Sequence, residues 1–106
     1  MARAKFGTLT EQMYYILLCL RQECCGIDIM AQVNAMTGGQ ISVGSGTLYN
    51  LLDQFLAEGF IRETRVEGRK RSYILTDKGR EVLKLEYSRL CARVDDYRRY
   101  MEEETL

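Results

Sequence analysis

Ser45-Gly46-Thr47-Leu48-Tyr49-Asn50-Leu51-Leu52, continuing through Phe55-Leu56 to Glu58-Gly59-Phe60-Ile61, is the stretch that decides the fold. Ser45 opens it as an N-cap, where a side-chain oxygen takes up amides left unpaired at a helix start. Leu48, Leu51 or Leu52, Phe55 and Leu56 then recur at helical spacing. Gly59 stops the helix, because glycine tolerates the left-handed conformation of a helix end. Beyond it, residues 61–66 and 71–75 read as two strands. Glu67-Gly68 forms the turn, with glycine where a positive φ is needed. A hairpin of two strands is too small to stand alone, so it must lie against the helices.

Working outward, Thr8-x-x-Glu11 has the form of a capping box and predicts a helix to about residue 21. Met13, Ile16, Leu17 and Leu20 form its apolar stripe, flanked by Tyr14 and Tyr15. A second helix is expected over residues 27–36, with Ile29 or Met30, Val33 and Met36 inward. Gly38-Gly39 ends it. On the other side, Thr76 caps a final helix whose first turn carries Asp77, favoured there by the helix dipole. Leu83, Tyr87, Leu90, Val94, Tyr97 and Met101 follow one another at intervals alternating between four and three, a heptad pattern. Residues 77–104 in one helix would span about 42 Å at ~1.5 Å per residue, too long to pack entirely on so small a body.

The chain of 106 residues fits one folding unit, and 46% hydrophobic content is ordinary for a globular protein. No apolar run approaches the ~20 residues that span a membrane. Met1-Ala2-Arg3-Ala4-Lys5-Phe6 lacks the apolar core of a signal peptide, so the cytoplasm is the expected location. The four cysteines, Cys19, Cys24, Cys25 and Cys91, are too sparse for a disulfide scaffold. With no histidine and no C-x-x-C pair, a zinc site has little to build on. Buried reduced thiols are expected, with a thiol switch at Cys24-Cys25 as the competing reading. The 15 basic and 15 acidic residues balance, but not locally. Arg62, Arg65, Arg69, Lys70 and Arg71 outnumber Glu63 and Glu67 around the hairpin, while acids gather at Glu102-Glu103-Glu104. For nucleic acid the patch matters, not the total.

A glycine-linked helix pair feeding a basic hairpin is the pattern of a winged helix-turn-helix. The expected class is α+β, mostly α, with a two-stranded wing and a long C-terminal dimerisation helix. Such a fold places the polar start of its third helix against base edges and phosphates. Ser45, Thr47, Tyr49 and Asn50 are the residues expected there, with Thr47 and Tyr49 also able to serve packing or capping. Arg69, Lys70 and Arg71 would meet phosphates or the minor groove, although a solvated basic tip also keeps an edge strand from aggregating. The heptad face from Leu83 to Met101 is expected to pair two chains, which suits a palindromic duplex with recognition helices ~34 Å apart. Tyr14, Tyr15, Tyr87 and Cys91 form a candidate effector pocket for a small hydrophobic or aromatic compound. The same residues would equally make a filled interface. No general base, nucleophile elbow or phosphate loop points to catalysis, and no cofactor is expected.

Leu9-Thr10-Glu11-Gln12-Met13-Tyr14-Tyr15-Ile16-Leu17-Leu18, Gly44-Ser45-Gly46-Thr47-Leu48-Tyr49 and Glu58-Gly59-Phe60-Ile61 together resemble the PadR family of bacterial transcriptional regulators. So does Gly68-Arg69-Lys70-Arg71-Ser72-Tyr73-Ile74-Leu75-Thr76-Asp77-Lys78-Gly79. The resemblance covers nearly the whole chain, and a single terminal helix places it with the short branch of the family. It implies a homodimeric, ligand-responsive repressor on a double-stranded DNA operator, its third helix in the major groove and its wing on the backbone or minor groove. Residues 1–76 would form the DNA-binding domain and residues 77–106 the dimerisation helix. The chain departs from the family at Cys25-Gly26-Ile27, where His-Gly-Tyr is frequent. It departs again at Asp53 and Gln54, where basic residues are frequent, and at Cys91, where some members place a large aromatic. A protein–protein interaction module that binds no DNA is the competing function.

Overall fold

The computed structural model describes residues 8–104. The elements run α1 (Glu11–Cys19), β1 (Cys24–Cys25), α2 (Gly26–Met36), α3 (Ser45–Glu58), β2 (Ile61–Glu67), β3 (Lys70–Leu75) and α4 (Asp77–Glu104). The class is the expected one, mostly helical with a small antiparallel sheet and a long last helix. The sheet has three strands rather than two, in the order β1-β3-β2. Cys24 and Cys25 pair antiparallel with Tyr73 and Ser72. Two residues carry no periodicity, so nothing in the sequence marks them as a strand.

Caps correct the expected helix starts. Thr10, not Thr8, begins α1: its hydroxyl accepts the Met13 amide at 3.1 Å, and Glu11 is already helical. Leu9 is buried and its amide is held by Glu86, which fixes the chain just ahead of the helix. α1 ends at Cys19, short of residue 21, because the carbonyl of Leu20 accepts the Leu75 amide at 2.8 Å and joins the sheet instead. Ser45 is the first residue of α3 rather than its cap. The Leu48 amide bonds to the Gly44 carbonyl at 2.9 Å, so Gly44 holds the cap position and no side chain caps this helix. Gly59 closes α3 at φ 79°, and Gly68 turns the hairpin at φ 63°. The strands extend to Glu67 and Lys70, one residue further on each side than expected.

Phe55, Ile16, Leu17, Leu20, Ile29, Leu48, Leu52 and Val33 are fully buried and join the three N-terminal helices into one core. Burying such side chains is worth about 1.5–3 kcal/mol each before entropy is charged. Met36, expected inward, is exposed. Thr37 takes over at that end of α2: its hydroxyl donates to the Val33 carbonyl at 2.8 Å and accepts the Ile41 amide at 3.1 Å. Partly buried Ile41 then covers the core in place of Met36.

Thr76 caps α4 as expected, accepting the Gly79 amide at 3.1 Å and donating to the Gly59 carbonyl at 2.5 Å. Gly79 lies against the Phe60 carbonyl so closely that a Cβ would collide with it. The helix thereby starts fixed to the end of α3 and to β3. Val82 and Leu83 pack on the core, and Glu86 is buried beside them. From residue 92 to residue 102 every side chain is exposed. The helix thus leaves the body halfway along. A radius of gyration of 16.0 Å, against about 13 Å for a compact chain of this length, records that projection.

Candidate nucleic-acid interface

The buried face of α3 (Leu48, Leu51, Leu52, Phe55) fixes the rotation of the helix, and so decides what faces out. Gly46, Tyr49, Asn50 and Asp53 recur at intervals of three, one and three on that outer face. Ser45 and Thr47 flank it, and all six are exposed. Tyr49 does not project freely. A Cβ built on Gly26 would lie 2.5 Å from its hydroxyl oxygen, so the ring lies across the first residue of α2. Asp53 stands one turn beyond Tyr49, an acidic group on a face otherwise neutral and polar.

The wing supplies the cations. Among Arg69, Lys70 and Arg71, Arg71 is engaged: its guanidinium contacts the Glu63 carboxylate at 3.0 Å. Arg65 lies 3.8 Å from Glu67 across an exposed gap. Arg69 and Lys70, at the turn, have no carboxylate partner among the described residues. Arg71 shares a strand face with buried Tyr73 and Leu75, since alternate side chains point the same way. Burial first, and the Glu63 carboxylate next, push the Tyr73 hydroxyl above its ordinary pKa. A β-bulge between Glu63 and Arg65 twists β2, and the Thr64 hydroxyl donates to Glu23 at 2.6 Å, anchoring the ribbon to the loop after α1. A cavity of about 430 Å³ opens between the wing and the helices. Tyr49, Arg69, Lys70 and Arg71 line it together with Cys25, Gly26 and Ile27 at the start of α2. Of the residues expected to contact DNA, Tyr49 and the three wing cations share this cavity. Ser45, Thr47 and Asn50 do not line it.

The heptad side chains lie along the projecting helix. Leu83 is packed on the core, whereas Tyr87, Leu90, Val94, Tyr97 and Met101 are exposed, with Tyr100 beside them. The candidate effector residues gather at the near end of this face. Tyr14 and Tyr15 meet edge to face at 5.3 Å between centroids. Cys91 raises the Tyr87 hydroxyl above its ordinary pKa, with burial and then Tyr14 adding to the shift.

All four thiols are free. Burial, aided by Asp28, pushes Cys24 up to about 11, and burial raises Cys19. The Cys25 thiol donates to the Asp28 carboxylate at 3.3 Å, and Gln32 donates to Cys24 at 3.4 Å. The Cys24 environment is that of a protonated thiol, opposite to what a switch needs. Among the described residues no group of three or more His, Cys, Asp or Glu could hold a metal ion. No helix among them is long and apolar enough to cross a membrane.

Two features escape sequence reasoning. Ile27 lines the cavity although it lies some twenty residues from Tyr49 and forty from the wing; only tertiary packing unites them. Glu86 is 5% exposed and accepts the Leu9 amide at 3.2 Å and the Arg89 guanidinium. Arg89 holds its carboxyl below the ordinary range. Gly79, Val82, Leu83 and Glu86 do fall at core-facing helical spacing, a signal that Glu86 faces inward.

The transcriptional regulator PadR-like family matches residues 16–85. No curated protein matches the chain. Among solved structures, Bacillus subtilis PadR in complex with operator DNA is 32% identical, with a TM-score of 0.60. That match covers 68% of this chain and 44% of PadR, so PadR is much the longer protein. A PadR family transcriptional regulator from Eggerthella lenta is 22% identical with a TM-score of 0.71, over 85% of this chain and 80% of that one. H. salinarum RosR is 22% identical with a TM-score of 0.71, covering 94% and 93%. The matched span runs from α1 through the wing into the first turns of α4, the region whose glycines, helix faces and basic turn are described above. The chain belongs to the PadR-like family of transcriptional regulators.

Proposed function

We propose that this regulator is a homodimer that binds a twofold DNA operator and acts as a ligand-responsive repressor. The observation that carries the reading is the placement around one cavity of Tyr49 of α3 and the wing cations Arg69 and Lys70, which have no carboxylate partner among the described residues. Ser45, Thr47, Tyr49 and Asn50 read the major groove, while Arg69, Lys70 and Arg71 meet the backbone or minor groove. The operator bound to Bacillus subtilis PadR supports double-stranded DNA as the partner. In this reading residues 1–76 are the DNA-binding part and residues 77–106 the pairing helix. The exposed stripe Tyr87, Leu90, Val94, Tyr97 and Met101 then takes a second copy of itself and sets the spacing of the two recognition helices. Tyr14, Tyr15, Tyr87 and Cys91 lie where an aromatic effector would alter that spacing. Such a compound acts only through its differential affinity for the two dimer geometries. The protein works in the cytoplasm, where its operator is.

Hydroxyl-radical footprinting on DNA upstream of the protein's own gene tests this. The expected result is two protected patches related by a dyad, their centres one helical turn (about 34 Å) or a multiple apart. A single asymmetric patch would reject the twofold dimer. Absence of any footprint at protein concentrations that saturate the duplex would favour a protein-interaction role instead.

A further inference from the structure

We infer that Asp53 sets base specificity: its carboxylate accepts the amino proton of a cytosine in the major groove and penalises the other bases at that position. This deepens the DNA-binding reading above and rests on it. A helix laid in the major groove can read base edges from positions at intervals of three, one and three. Gly46, Tyr49, Asn50 and Asp53 have that spacing on the exposed face of α3. The end of the Tyr49 ring lies across Gly26, which leaves Asn50 and Asp53 as the polar side chains projecting from this set. α3 holds no lysine or arginine, and its charged residues are Asp53 and Glu58. The helix therefore offers the groove hydrogen-bonding groups and a negative charge, and no cation for phosphate. Asp53 forms no salt bridge among the described residues, so ion pairing within the fold does not account for its charge.

The chemistry of the groove then names the base. A carboxylate there meets acceptors at most edges: O6 and N7 of guanine, O4 of thymine, and N7 of adenine beside its amino group. Cytosine alone presents a donor with no acceptor beside it. An anion among phosphates is repelled unless such a donor meets it. Asp53 thus rejects as well as selects, and discrimination draws on both. Asp53 also lies within electrostatic reach of the Tyr73 hydroxyl, whose pKa rises mainly through burial. A role through Tyr73 would act on the wing and carry no base preference, which separates it from the one inferred.

Binding selection from a pool of randomised duplexes tests this before the operator is known. Wild type, Asp53→Ala, Asp53→Asn and Glu58→Gln each select from the pool, the bound duplexes are sequenced, and thermal melts check that each variant folds. Glu58→Gln removes the same charge from the last turn of the same helix. Wild type should favour cytosine at one position per half-site by about 5- to 140-fold over the other bases, the cost of one mismatched pair. Asp53→Ala should lose that preference, keep those at other positions and bind scrambled duplex more tightly. Asp53→Asn should shift the position toward adenine, whose N6 and N7 suit an amide. Glu58→Gln should keep the wild-type profile. Replacing the selected cytosine with N4-methylcytosine keeps its pair with guanine but puts a methyl group where the groove-facing proton was. Wild-type affinity should fall about as far as on a mismatch, and that of Asp53→Ala should not change. An unchanged profile in Asp53→Ala, the same loss in Glu58→Gln, or wild-type indifference to the methyl group would overturn the assignment while leaving DNA binding intact. So would a loss spread over every position in Asp53→Ala, the mark of a role through Tyr73. A wild type that enriches no sequence at all would overturn the DNA-binding reading and this assignment with it.

Discussion

Replacing Arg69 and Lys70 together with alanine should remove most of the wing's contribution to DNA binding, and adding Arg71→Ala should remove little more. The asymmetry comes from Glu63, which holds the Arg71 guanidinium at 3.0 Å, while its two neighbours have no carboxylate partner among the described residues. Each phosphate neutralised by a free cation contributes about 0.9 to the slope of log K against log salt, so the pair contributes up to about 1.8 per protomer and about 3.6 per dimer. Between 50 and 200 mM salt, that is an affinity advantage for wild type that falls by about 12-fold per protomer and about 150-fold per dimer. Anisotropy titrations of a labelled operator at four salt concentrations measure it. Loss should be the same on operator and scrambled duplex, because phosphate contacts carry no sequence information. An unchanged slope in the double variant, or a larger loss from Arg71→Ala alone, would refute the reasoning.

Glu86→Gln should cost about 1–3 kcal/mol, the range for a buried charged hydrogen bond, with a drop of several degrees in melting temperature. Because the folded-state pKa of Glu86 is depressed, its stabilisation is present above the ordinary value of 4.5 and is lost as pH falls through the lower folded value. Urea denaturation of wild type and variant should therefore converge below pH 4.5; a gap that is constant with pH would contradict this. Val94→Glu, in the middle of the exposed stripe, should shift sedimentation from dimer to monomer while leaving the helical signal intact, and an unchanged dimer would remove α4 from the pairing surface. Cys24, at about 11, is about one part in a thousand thiolate at pH 8, so iodoacetamide should leave it unmodified until the chain unfolds, as peptide mapping would show.

The sequence makes some of this architecture legible and hides the rest for physical reasons. Helix faces were readable because burial repeats at 3.6 residues: Ile16, Leu17 and Leu20, or Leu48, Leu52 and Phe55, fall on their stripes. The turn glycine Gly68 and the stop at Gly59 follow from backbone sterics alone. The caps sit one or two residues from the expected ones, at Thr10 rather than Thr8 and Gly44 rather than Ser45, because a tertiary tie at Leu9 and the local bond from the Leu48 amide to the Gly44 carbonyl decide between adjacent candidates. Strand β1 went unseen because its two residues are strand only through their partners Tyr73 and Ser72. The expected site residues Tyr49, Arg69, Lys70 and Arg71 do converge, but Ile27 and Gly26 join them through packing across the chain. Pairing of Arg71 with Glu63 was equally hidden, since it depends on cross-strand register after a bulge.

The most direct test is binding of the purified protein to its own upstream DNA and to a scrambled duplex of the same composition, at two salt concentrations. The account predicts operator binding near ~10⁻⁸ M or tighter, ~10³-fold or more stronger than on the scrambled duplex, with both affinities falling as salt rises. Equal, salt-insensitive affinity for the two duplexes would contradict a recognition surface built from α3 and the wing.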